Sequence, residues 1–291
     1  MRAMRILLTV TAGLSVMLMQ AGQYALGADA PVALTGQVIS AEEGAMEGVL
    51  VSAKKAGATM TITVVSDNQG RYRFPAAKLE PGQYAIRIRA AGYDLDGRVT
   101  AEITAQKTAT HDLKLRRTQD LASQLTSGEW IASMPGTEQQ KKTLLGCVGC
   151  HTVERIARSK YDVAGFMQTV QRMGTYANQS TPLHPQKRLT TRDTDLVGED
   201  RARVQRAQAE WLSSINLSSS STWYYPLKTL PRPTGKGTQV IVTEYDLPRP
   251  TIEPHDVILD KDGIAWYSNF GEQSIGKLDP KTGKVTEYPV P

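Results

Sequence analysis

Cys147-Val148-Gly149-Cys150-His151 contains both cysteines of the 291-residue chain, with a histidine directly after the second. Two thiols two residues apart, followed by an imidazole, form the attachment signal for c-type haem. The thiols add across the two vinyl groups as thioethers, and the adjacent imidazole sits beneath the iron as proximal ligand. Val148 and Gly149 keep the spacer small, and Gly149 allows a tight turn. A zinc half-site would want a second Cys or His pair, and a thioredoxin-type dithiol would want a βαβ setting; the sequence provides neither. With both cysteines assigned to haem, no disulfide is available and each domain must be held by its own core.

Haem attachment of this type needs an exported apoprotein, and the N-terminus agrees. Arg2 and Arg5 make a basic n-region, Ile6 to Met19 is apolar, and Ala25-Leu26-Gly27 is a small-x-small cleavage site. Residues 1–27 therefore read as a signal peptide, with a mature chain starting at Ala28 in the periplasm or secreted. The apolar run is shorter than the ~20 residues of a spanning helix, so no stable membrane span is expected after cleavage. The formal charge of +5 is carried by dispersed basic residues. That argues against nucleic acid as a partner and suits mild attraction to an acidic redox protein.

From 28 to 116 short runs alternate apolar and polar residues between turn signals, which predicts an all-β sandwich. The expected strands are Ala33–Ser40, Val49–Lys55, Met60–Val65, Tyr72–Ala76, Gly82–Ala90 and Arg98–Thr104, with His111–Leu115 as a last edge. The series Gly36-Gln37-Val38, Gly48 to Ser52, Ser66 to Phe74, Leu79 to Tyr84 and Ala91-Gly92-Tyr93 resembles the carboxypeptidase regulatory-like domain. That resemblance implies a transthyretin-like or immunoglobulin-like sandwich acting as an accessory module. Asp67, Asp94 and Asp96 read as turn chemistry rather than calcium ligands, because no dense oxygen-ligand loop surrounds them.

Between 117 and 217 the period becomes helical. Thr137-Glu138 caps a helix leading into the haem motif. A second helix spans Val163 to Met173, with Phe166, Val170 and Met173 on one face and Gly174 ending it. A third runs from about Glu199 to Ile215, with Val204, Ala207, Trp211 and Ile215 at helical spacing. Helix, C-x-x-C-H, helix, loop, helix resembles an all-α single-haem cytochrome c domain, whose core the porphyrin would complete. Residues 218–238, rich in Ser, Pro and Gly, read as a linker permitting independent motion.

In 239–291, Val242-Thr243-Glu244-Tyr245-Asp246-Leu247-Pro248 returns as Val285-Thr286-Glu287-Tyr288-Pro289-Val290-Pro291, a period in the propeller-blade range. With Asp256 to Tyr267 and Ile275 to Gly283 between the copies, the segment resembles one blade of the virginiamycin B (streptogramin) lyase-like β-propellers. One blade cannot bury both faces of its sheet, so the expectation is an incomplete propeller in a longer parent protein.

Cys147, Cys150 and His151 are thus the candidate haem-binding residues. The sixth iron ligand is expected from Met173, favoured for its thioether and its place at a helix end, or from His184 in the Thr181–Pro185 loop; Met167, which also reads as core filler, or an open site are the remaining alternatives. Arg155 and Arg158 are candidates to pair with haem propionates, and Trp211 and Tyr176 to pack on the porphyrin edge. Trp266 and Tyr267 read as blade packing, and His255 invites only a weak catalytic reading. No catalytic residues are assigned. The expected function is electron transfer to a redox partner, with sandwich and blade as docking modules. Alternatives are a lyase-like enzyme, or a fragment of one, with an appended haem domain, and a module binding surface carbohydrate or protein.

Overall fold

The computed structural model describes residues 31–177, 180–190, 196–218, 220–269 and 271–290. The signal-peptide reading lies outside them.

Ten strands come from the N-terminal segment: β1 (Val32–Ser40), β2 (Gly44–Ala45), β3 (Leu50–Lys55), β4 (Met60–Val65), β5 (Arg71–Pro75), β6 (Gly82–Arg89), β7 (Tyr93–Leu95), β8 (Val99–Ile103), β9 (Ala109–Thr110) and β10 (Leu113–Arg117). One sheet runs β2-β1-β10-β7, with β5 and β9 also paired to β1. The other places β4, β3, β6 and β8 in antiparallel order. Alternation decides which residues meet between the sheets. Tyr72 and Phe74 are buried while Arg71 and Arg73 face out, and Leu113, Leu115, Ala101 and Ile103 repeat the pattern. Leu34, Val38, Val49 and Val51 complete one apolar core. The buried Ser66 hydroxyl is satisfied within it, accepting from the Val49 amide (2.9 Å) and donating to the Met46 carbonyl (2.6 Å).

Two features of this sandwich differ from expectation. The last strand, β10, is not an edge: it lies parallel to β1 and antiparallel to β7, between the two. And a fifth strand, β11 (Ile241–Tyr245), joins the second sheet from far downstream by pairing with β4 from Ile241↔Val64 to Tyr245↔Met60. An ion pair between Lys54 and Asp246 follows that strand.

The middle segment contains α1 (Ser127–Ser133), α2 (Glu138–Thr143), α3 (Glu154–Ala157), α4 (Val163–Met173) and α5 (Gly198–Ile215). Capping boxes start α1, from Thr126 and Glu129, and α2, from Thr137 and Gln140. The Asp162 carboxylate caps α4 by accepting from the Gly165 amide (2.8 Å). Trp130, Met134, Leu144, Val153, Phe166, Trp211, Leu212 and Ile215 form a second apolar core. α5 does not bury every residue expected of its inner face: Ala207 and Val204 are exposed, and Ala209 and Leu212 are buried in addition to Trp211 and Ile215.

Residues 220–234 have the irregular backbone expected of a linker, a 3-10 turn follows at Gly235–Gln239, and the segment is docked rather than loose. Trp223 packs edge-on against Trp130 at 5.2 Å between ring centroids, and the buried Tyr225 hydroxyl donates to the Ile215 carbonyl (2.6 Å). Amides of Lys228 and Leu230 donate to Ser133 Oγ (2.8 Å) and Glu129 Oε1 (2.9 Å). Beyond them Arg232 pairs with Glu43 and the Gly235 amide reaches Glu47 (2.9 Å), both on the sandwich. The strap therefore couples the helical and β segments.

The remaining strands, β12 (Pro254–Leu259), β13 (Ala265–Asn269), β14 (Ser274–Leu278) and β15 (Val285–Pro289), form an antiparallel sheet in chain order. Trp266 stacks on Tyr288 and donates from Nε1 to Asp260 Oδ2 (2.9 Å), while Tyr267 is buried against Gly276. Arg249 ties this sheet together by bridging Glu272 and Glu287. The two copies of the Val-Thr-Glu-Tyr repeat thus lie in different sheets, one in β11 and one in β15.

Candidate cofactor site

α2 passes into a single tight turn, Leu144–Gly146, that delivers the chain to the two thiols. Amides of Cys147 and Cys150 donate to the Leu144 (2.9 Å) and Cys147 (3.2 Å) carbonyls, and the His151 amide donates to the Cys147 carbonyl (3.3 Å). This last i→i+4 closure brings residues 147 and 151 to the same side of the turn. The result is visible in the packing, since Cys147 and His151 line one cavity.

Burial, and then the neighbouring Cys150, push the Cys147 thiol above its ordinary pKa. Burial, and then the Glu253 charge, do the same to Cys150. Both sulfurs are therefore thiols at neutral pH. His151 Nδ1 lies 3.0 Å from the Thr152 carbonyl oxygen. With the proton on Nδ1 donated to that carbonyl, Nε2 keeps its lone pair for a metal.

The cavity measures about 400 Å³, inside the roughly 300–1,000 Å³ typical of small-molecule and cofactor sites. Ile156 and Phe166 form part of its apolar wall, α4 contributes Val170 and Met173, and α5 contributes Val204 and Leu212. Two guanidinium side chains, Arg188 and Arg201, also line it. Met173 sits in the last turn of α4, so the structure brings Cys147, His151 and Met173 around one space. His184 is not among the lining residues; its amide is bonded to Thr181 Oγ1 (3.0 Å) and its Nδ1 contacts Gln186 Nε2 (3.2 Å). Met167 is half-buried against the helical core.

These residues fit a porphyrin in part: the cavity has apolar walls, the Cys147 thiol, the His151 imidazole, the Met173 thioether and cations suited to carboxylates, whereas Cys150 is not among its described lining residues. The cations differ from those expected. Arg158 is engaged elsewhere, pairing with Glu154 (2.6 Å) and Asp120 (2.8 Å) and lying over the Trp223 ring, and Arg155 is exposed and lines no part of the cavity. Sequence reasoning missed Arg188 and Arg201. Arg201, Val204, Gln205, Gln208 and Leu212 follow the i, i+3, i+4, i+7, i+11 spacing of one helix stripe, a signal that was there to be read. Arg188 lies in an irregular segment with no such period.

The other singled-out residues lie apart. Trp211 is core, donating from Nε1 to the Pro135 carbonyl (3.1 Å), and Tyr176 carries Lys187 over its ring. His255 contacts Asp256 (3.0 Å) on the exposed strand β12 and lines neither this cavity nor the second one described below. Asp67 accepts from the Gln69 and Arg71 amides (2.9 Å each), which is turn chemistry, and Asp94 accepts from Gln124 (2.8 Å). Among the described residues no group of three His, Cys, Asp or Glu side chains converges as a structural zinc site requires. No described helix is long and apolar enough to cross a membrane.

No curated protein matches the chain. Among solved structures, the Bacillus anthracis TIE protein is similar at 18% identity and a TM-score of 0.26, over 31% of this chain and 17% of its own. The group B streptococcus pilus 2b backbone protein is similar at 13% identity and a TM-score of 0.26, over 31% of this chain and 43% of its own. The chain therefore spans less than half of either protein. Residues 33–116, the segment that folds as the sandwich, match the carboxypeptidase regulatory-like domain family.

Proposed function

We propose that the chain is an exported c-type cytochrome that carries one covalent haem and transfers electrons. The observation that carries this reading is the common cavity of Cys147, His151 and Met173, built on a C-x-x-C-H turn. Cys147 and Cys150 would hold the group by thioethers, His151 Nε2 would be the proximal ligand, and Met173 the sixth. When bound, the haem supplies a one-electron ferrous–ferric couple whose potential depends on axial ligand and burial.

The chain's own residues do the remainder. The Thr152 carbonyl would hold the His151 proton on Nδ1, the apolar side chains from Phe166 to Leu212 would pack against the bound group, and Arg188 and Arg201 would meet its carboxylates. Leu145 and Val148 are exposed beside the thiols, giving the site an apolar rim against which a redox protein can dock. The helical segment is then a single-haem cytochrome c domain, with the sandwich and the four-stranded, blade-like sheet as docking modules, and the 218–238 strap contacts the helical segment and the sandwich.

Absorption spectra of the chain coexpressed with haem-maturation machinery test this reading. The expected result is haem that survives denaturing electrophoresis, a low-spin reduced spectrum unmoved by carbon monoxide, and a weak far-red ferric band from methionine sulfur that Met173→Ala removes and His184→Ala leaves. Absence of covalent haem would overturn the assignment of function. A band insensitive to Met173→Ala would overturn the sixth ligand alone.

A further inference from the structure

A second cavity, of about 350 Å³, lies where the 180–190 segment meets the C-terminal sheet. Gln186 lines one side; Ser268, Gln273, Ser274, Ile275 and Val290, around the β13–β14 turn, line the other with Asn269. None of these side chains carries a charge, although 63 of the chain's 291 residues are Lys, Arg, Asp or Glu. Glu272, next to Gln273 in sequence, is not among the described lining residues: its carboxylate is held by Arg249, Thr251 and the lining Asn269, and Arg249 first, then Thr251, lowers its pKa to about 2.

Among the described lining residues the hydrogen-bonding capacity left is neutral. Ser268 Oγ accepts from the Asp256 amide (3.2 Å) and Ser274 Oγ accepts from Asn269 Nδ2 (3.1 Å), so each hydroxyl retains its proton to donate. The Gln273 side chain makes no hydrogen bond within the described residues, and its backbone stands at φ 52°, in the left-handed region unusual for a residue with a Cβ. Its main-chain carbonyl accepts from the Val290 amide (2.9 Å), which fixes the backbone from which the side chain lines the cavity. Ile275 and Val290 add aliphatic surface. Hydroxyl donors and amide groups beside an aliphatic face complement a ring bearing equatorial hydroxyls above C–H groups, and the lack of charge disfavours ions, which would have to shed water without a countercharge.

We propose that this cavity binds an uncharged, polyhydroxylated ligand, a saccharide. Gln186 on its wall also contacts His184, and Arg188, two residues on, lines the first cavity, so one short segment borders both. The proposal does not rest on the haem reading.

The test is calorimetric titration of the full chain, with or without haem, using glucose, maltose, cellobiose and N,N′-diacetylchitobiose, with glucuronate as the charged control. The expected result is saturable millimolar binding of at least one neutral sugar. Gln273→Ala and Gln186→Ala should each weaken it about fivefold, the worth of one net hydrogen bond, and Ile275→Asp should abolish it with the circular dichroism unchanged. No saturation by any neutral sugar overturns the proposal. So does binding that Gln273→Ala and Gln186→Ala leave intact, or glucuronate binding as tightly as the neutral sugars.

Discussion

Glu129→Ala removes a carboxylate that three segments share, and its cost can be worked from the structure. Oε2 accepts from the Thr126 amide (2.8 Å) and hydroxyl (2.9 Å), Oε1 accepts from the Leu230 amide (2.9 Å), and Arg89 of β6 stands 3.7 Å away. The side chain is 4% exposed. Losing the capping box costs about 1 kcal/mol. Stranding the partly buried Leu230 amide costs about 1–3 kcal/mol, and the half-exposed Arg89 contributes under ~1 kcal/mol. The variant should lose about 3 kcal/mol of stability, since such contributions do not simply add. Burial is the largest influence on the Glu129 pKa and raises it, but the Thr126 and Leu230 amides, the Thr126 hydroxyl and Arg89 together outweigh it and leave the value lowered. A carboxyl lowered on folding contributes its full stability above the unfolded value and loses it as pH falls through the folded one. The gap between wild type and Glu129→Gln should therefore be complete near neutrality and close in acid, below about 4.3. Urea unfolding followed by tryptophan fluorescence reads it directly, because Trp130 and Trp223 form the adjoining ring pair. A Glu129→Ala loss under about 0.5 kcal/mol, within the range of an ordinary surface substitution, would refute the shared-carboxylate account, as would a Glu129→Gln gap that persists in strong acid.

On the proposed function, Arg201→Gln and Arg188→Gln should leave haem covalently attached while lowering its midpoint potential by roughly tens of millivolts, since each removes positive charge that favours the reduced state; spectroelectrochemistry measures this, and unchanged potentials in both variants would remove these arginines from the site. Gly276→Ala should cost about 1–3 kcal/mol, because the new Cβ would fall 1.9 Å from Cζ of the buried Tyr267 ring. Thermal unfolding followed at Trp266 would show the loss, and wild-type stability would mean the ring is not packed as described.

The sandwich was legible because burial on one face imposes period two. Tyr72 and Phe74 between Arg71 and Arg73 could be assigned to core and solvent from sequence, and the Met60–Val65 strand has the boundaries expected of it. α4 likewise ends at Met173 before Gly174, and Thr137 caps α2 as its sequence suggests. Pairing order was not legible. Nothing in Leu113–Arg117 says that its neighbours are β1 and β7, since a strand buried on one face looks the same at an edge or inside a sheet. The docking of the strap was not legible for a different reason: Trp223, Tyr225 and Leu227 are scattered among Ser, Pro and Lys, where composition suggests solvent, and the segment's contacts run to Trp130 and Ser133, more than 90 residues upstream, as well as to Ile215. At the candidate site the thiols and imidazole were explicit in the motif, whereas Arg188 depends on where an irregular segment comes to rest.

β11 joins β4 across roughly 180 residues of intervening chain, and this sets an order of assembly. During synthesis the edge of β4 has no partner until the whole helical segment has been made, which leaves an open strand edge of the kind that invites wrong pairing. Closing so long a loop is entropically only modestly worse than closing a short one, but such distant pairings form slowly. Whatever compacts the helical segment first shortens the effective loop and brings β11 nearer to its place. Compaction of the helical segment and completion of the second sheet are thereby coupled through the β11–β4 pairing.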